Sequence, residues 1–159
     1  MTRPELLDKW AIAVGKMHIG HHLAASSCTT WHYILGVSAI FLTTALSATS
    51  FAAVAKFVEK EMPTLFVGLT FLSMLTPALT AAVTFLKLDE RALRHTEAAA
   101  SFGGLRRHIE EQLVLAEDEK AKDLGEIRDH WREVIKKSPP LPSRMYYRAE
   151  RQLREERLR

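Results

Sequence analysis

The chain has 159 residues, of which 47% are hydrophobic and 26% charged, and 22 Lys/Arg against 19 Asp/Glu leave a net charge of +3. From Lys87 onward 17 Lys/Arg are interspersed with 15 Asp/Glu, so the excess is no nucleic-acid footprint, and one cysteine, Cys28, excludes an intramolecular disulfide framework. These averages hide two long apolar runs set in a highly charged remainder.

The first predicted element, residues 5–32, is a cytoplasmic helix. Leu7, Trp10, Val14, Met17, His21, Ala24, Cys28 and Trp31 recur in steps of three and four, the seam of a helix packed on others. With no Pro between Glu5 and Tyr33, it is expected to continue as one rod into the first apolar run. That run, residues 33–55, has 23 uncharged residues, and a second, residues 62–86, has 25. At about 1.5 Å of rise per residue each spans the roughly 30 Å hydrocarbon layer, and lipid offers peptide groups no water, so both are predicted to be transmembrane helices. The connector, residues 56–61, allows only a tight antiparallel hairpin, which puts both termini on one side.

Lys16, Lys87, Arg91, Arg94 and Arg106 flank the spans on the terminal side, against Lys56 and Lys60 in the connector. This bias predicts a multi-pass membrane protein with both termini cytoplasmic. A cleavable signal peptide is not expected, since the first apolar run starts beyond residue 30 and is too long.

Residues 87–137 read as cytoplasmic helices. The second span is expected to run on through LDERALRHTEAAA and to kink or break at Gly103-Gly104, each costing about 1 kcal/mol relative to Ala. Phe102, Leu105, Ile109, Leu113 and Ala116 form one further stripe, and Leu124, Ile127, Trp131, Val134 and Ile135 another. The proline-rich stop from Ser138 to Pro142 ends the bundle and opens the last segment, 138–159, whose part from Ser143 on reads as either a basic helix or a solvated tail. The predicted fold is therefore all-α, a single unit in which an integral two-helix transmembrane hairpin is continuous with a cytoplasmic helical bundle.

The spans hold no Asp, Glu, Lys, Arg or His, which argues against a proton relay or coupled transporter. They do hold hydroxyls: Thr43, Ser47 and Ser50 share a face in the first, and Ser73, Thr80 and Thr84 line up in the second with Thr76 beside them. Two readings stand, a mildly polar pore lining formed by several hairpins or ordinary helix packing with hydroxyls bonded back to their own helix. Two spans alone enclose no water-filled path, so a channel requires a homo-oligomer. Pro77 is either a gating hinge or a structural bend in the second span.

His18 and His22 stand at i and i+4, but no Glu lies between them and Cys28 is ten residues from His18, so no metal is expected. These two and His32 are expected instead to make polar contacts within the bundle or at the headgroup boundary, with Glu90, His95 or Glu97 as partners. No nucleophile with its partners, paired carboxylates or Gly-rich loop after a strand is present, so neither catalytic residues nor a cofactor is expected.

In order, the chain carries a His-bearing helix, Leu35-Gly36 opening the first span, a short connector, Phe85 closing the second span, and Glu90-Arg91 followed by His95. Ala98-Ala99, Phe102, Leu105, Arg106 and Ile109 follow, then the proline-rich stop and Tyr146-Tyr147. This arrangement, over roughly residues 10 to 148, resembles the SLATT superfamily, the two-transmembrane effector domains associated with nucleotide second messengers and SLOG sensors. The resemblance implies a pore-forming or membrane-perturbing effector of a prokaryotic conflict system, in which one of His18, His21 and His22 takes the place of the family's histidine. Unlike many relatives, the chain carries no fused sensor domain, so a separate sensor protein or nucleotide-signalling partner is expected to supply the trigger.

Overall fold

The computed structural model describes residues 2–54, 63–115 and 117–158, without the side chains of 47–54, 63–67, 69, 70, 117–123 and 157. All its elements are helices: α1 (Arg3–Val54), α2 (Pro63–Leu86), α3 (Leu88–Val114), α4 (Glu117–Lys137) and α5 (Ser143–Arg157). No strand occurs among the described residues. They form two compact units, Met1–Ser27 with Glu90–Arg159, and Cys28–Asp89.

The first unit is a helical bundle. Its core is Leu7 and Val14 from α1, Phe102, Leu105 and Ile109 from α3, and Ile127 and Val134 from α4. The three-and-four spacing puts each set on one face, and Trp10, Met17, Leu113, Leu124 and Trp131 close around it. Trp10 meets Trp131 edge-on, ring centroids 5.8 Å apart.

The final segment is resolved in favour of the helix. Pro142 caps α5, accepting bonds from the Met145 and Tyr146 amides. Ala149 and Leu153, one turn apart, are buried, whereas Arg144, Arg148, Arg151 and Arg154 are exposed. Lys16 on α1 donates to Glu150 on α5 at 2.6 Å and lies 5.9 Å over the Tyr146 ring. Leu141 of the proline-rich stop reaches α1 at Gly20, where a Cβ would lie 2.6 Å from Leu141 Cδ2.

Two expectations require correction. The second apolar helix does not run on into the bundle: α2 ends at Leu86, and Lys87 takes φ 44°, a left-handed conformation, before α3 starts. Conversely, α3 passes unbroken through Gly103-Gly104. Phe102 and Leu105, both fully buried, fix the helix on either side of the pair, and burial of two such side chains, at about 1.5–3 kcal/mol each, outweighs the propensity cost of two glycines.

The second unit is unlike the first. Two helical stretches, Arg3–Leu46 and Phe71–Val114, contain windows long and apolar enough to cross a membrane. Among the described side chains of this unit only Leu88 is buried, while Ile40 (68% exposed), Phe41 (72%), Phe71 (75%) and Phe85 (86%) stand open. The six-residue connector lies outside the described residues.

Candidate functional site

Two groups of polar side chains stand out, one in each unit. In the bundle, α1 and α3 bring their histidines together. His21 occupies a seam position and is fully buried, its ring stacked on Phe102 at 5.4 Å between centroids and 13° between planes. Its Nδ1 lies 2.9 Å from Nδ1 of His95, itself 8% exposed. A bond between two such nitrogens needs one proton, donated by one ring and accepted by the other. The second nitrogen of His21, Nε2, is buried without a hydrogen-bond partner.

Burial lowers His21 from the ordinary 6.5 to about 4, with the nearby His95 adding to the effect, and burial also lowers His95. An imidazolium there would lose its hydration without gaining an anionic partner, so both rings are neutral at neutral pH.

One turn earlier, His18 Nδ1 is 2.8 Å from the Ala99 carbonyl, to which it donates. Gly103 makes this approach possible: a Cβ at that position would stand 3.0 Å from His18 Nδ1. The glycine pair thus includes a close-packing site rather than a break.

The expected polar contacts divide accordingly. His18 and His95 take part in interhelical bonds. His22 is exposed, lining a cleft of about 380 Å³ with His18, Arg106, Gln152 and Glu156. Glu90 pairs with Arg94 on its own helix, at 2.6 Å. Glu97 lines a separate cleft of about 300 Å³ with Arg94, His130, Glu133 and Lys137. His32 belongs to the other unit, its ring edge-on to Tyr33 and its Nδ1 buried without a partner. His21, the most buried of the histidines, was absent from the predicted contacts although its place on the seam marked it. Among the described residues no group of three or more His, Cys, Asp or Glu is placed to hold a metal ion.

In the second unit, Thr76, Pro77, Thr80 and Thr84 share one open, mainly apolar hollow on α2 with Ala81 and Phe85. The threonine hydroxyls form a ladder: Thr84 donates to the Thr80 carbonyl at 3.0 Å, Thr80 to that of Thr76 at 3.1 Å, and Thr76 to that of Leu72 at 3.4 Å. Thr43 likewise donates to the Ala39 carbonyl on α1. Each hydroxyl proton is thereby held by its own helix. Ser73 is exposed and lies outside that hollow, and the side chains of Ser47 and Ser50 lie outside the described residues. Pro77 sits within an unbroken α2.

Compared with known proteins, the chain matches no family model, no curated protein and no solved structure.

Proposed function

We propose that the chain is an oligomeric pore-forming or membrane-perturbing effector of a prokaryotic conflict system. In this reading residues 33–55 and 62–86 cross the inner membrane as a hairpin and the bundle lies in the cytoplasm with both termini. The observation that carries the membrane part is the second unit, an apolar pair of helices with almost nothing buried among its described side chains. Exposed to water, each open Phe or Ile would forfeit about 1.5–3 kcal/mol of burial, which lipid restores. Trp31 and Tyr33, 55% and 65% exposed, suit the headgroup level at the start of the first span.

Conduction would require several copies, with the Thr76-Thr80-Thr84 ladder as the polar stripe available to a lumen. The conflict-system role rests on the SLATT-like arrangement, with a sensor protein or nucleotide-signalling partner supplying the trigger. Dye or ion flux from liposomes holding the purified chain tests the pore: leakage above that of an unrelated two-span protein is expected, and leakage no greater refutes it.

One observation favours a second reading, a non-conducting membrane scaffold whose bundle docks a cytoplasmic partner. The threonine hydroxyl protons are already satisfied within their helices, as dry helix–helix packing would have them. A scaffold would leave liposomes sealed while its hairpins still associate.

A further inference from the structure

We propose that His21 and His95 form a proton-operated latch that holds α1 against α3 in the bundle, and that proton uptake releases it. The inference concerns the bundle alone and stands whether or not the spans conduct.

The latch follows from geometry. The Nδ1 atoms, 2.9 Å apart, can share one proton, and the ring stacked on Phe102 seals one side of the pair. A first added proton puts a charge among Ala24, Ala25, Ala98, Ala99 and Phe102, all buried. It also leaves His21 Nε2 as an N–H donor with nothing to accept it. A second proton sets two N–H groups head to head at 2.9 Å, which the rings relieve only by separating.

Among the described side chains no neighbouring element offers a compensating anion. On α1, His18 is committed to the Ala99 carbonyl and Lys16 to Glu150, while His22 is exposed. On α3, Glu90 is bonded to Arg94, Glu110 to Arg106, and Glu97 lines the cleft shared with α4. From α4 that cleft receives His130, Glu133 and Lys137, with Glu133 bonded to Lys137. From α5, Glu150 is bonded to Lys16 and Glu156 lines the cleft of His18 and His22. Among the described residues none of these carboxylates bonds to either ring of the pair.

The sign follows from the depressed titration of both rings. Protons bind the parted state, where His21 titrates near 6.5, in preference to the latched state, where it titrates near 4. The latch is complete above pH 6.5 and weakens as pH falls toward 4. At pH 5.5 the His21 shift alone favours the parted state about 10-fold relative to neutral pH.

Amide hydrogen exchange tests this on the full chain in detergent, following residues 14–27 and 92–106 at pH 7.5 and 5.5. Dividing wild-type rates by those of a His21→Phe/His95→Leu variant at each pH cancels the intrinsic pH dependence of exchange. The ratio is expected to rise about 10-fold on acidification. An unchanged ratio overturns the proposal. Nitrogen-15 imidazole spectra of the wild-type protein provide a check that does not depend on the variant folding. A His21 ring titrating well below 6.5, in step with faster exchange, supports the latch; titration at 6.5 or above overturns it.

Discussion

Replacing Gly104 and Gly103 separately by Ala should move stability in different directions, although the two are adjacent in one helix. At Gly104 a new Cβ meets nothing within 4 Å, so only helix propensity acts, and Gly104→Ala should stabilise the bundle by about 0.5–1 kcal/mol. At Gly103 the same gain is opposed by a Cβ placed 3.0 Å from His18 Nδ1 and 3.1 Å from Cε1. The His18 ring must withdraw, and its 2.8 Å bond to the Ala99 carbonyl is worth about 0.5–1.5 kcal/mol. Gly103→Ala should therefore be neutral or destabilising, about 1 kcal/mol below Gly104→Ala. Thermal melts in detergent, read by the fluorescence of the packed Trp10 and Trp131, resolve this, since 1 kcal/mol shifts the midpoint by about 2–4 °C at this size. In a His18→Ala background the penalty should vanish and Gly103→Ala should recover the propensity gain. If Gly103→Ala stabilises as much as Gly104→Ala with His18 present, the close approach of α1 and α3 at this point is wrong.

Phe102→Ala should cost about 3–5 kcal/mol, because it opens a cavity in the core and removes the ring on which His21 stacks; the same melts should show loss of the bundle transition at moderate temperature. Bundle stability should fall on acidification below pH 6.5. The depressed His21 titration alone accounts for about 1.4 kcal/mol at pH 5.5 and about 3 kcal/mol once the pH is well below 4, read as a midpoint shift that His21→Phe removes. Lys87→Gly should raise stability slightly, since φ 44° strains a lysine but not a glycine, and a lowered melting point would mean that the Lys87 side chain outweighs that strain.

Charge-free length made the apolar helices legible, because 23 and 25 uncharged residues exceed what a soluble core helix usually needs. The seam from Leu7 to Ala24 was legible for a similar reason, its period being that of the helix itself. The turn at Lys87 carries no such signal: FLKLDER contains neither Gly nor Pro, and a single left-handed residue is set by tertiary structure rather than local preference. Gly103-Gly104 misled in the opposite sense, since local propensity marks a weak helix while the burial of Phe102 and Leu105 decides the outcome. For α5, burial of Ala149 and Leu153 alone among its described side chains is too sparse a pattern to separate a docked helix from a tail. Among the histidines, the i, i+4 pair His18 and His22 has the spacing of a motif, yet the seam position of His21 determines which ring is buried.

The backbone differs at the two places where the chain passes from one unit to the other. α1 is one helix from Arg3 to Val54, with neither Gly nor Pro between His21 and Leu35. The return passage runs from α2 to α3 through Lys87, whose left-handed φ of 44° ends one helix before the next begins. The helical phase that sets His95 on α3 is thus fixed within the bundle by the burial of Phe102 and Leu105 rather than inherited from α2.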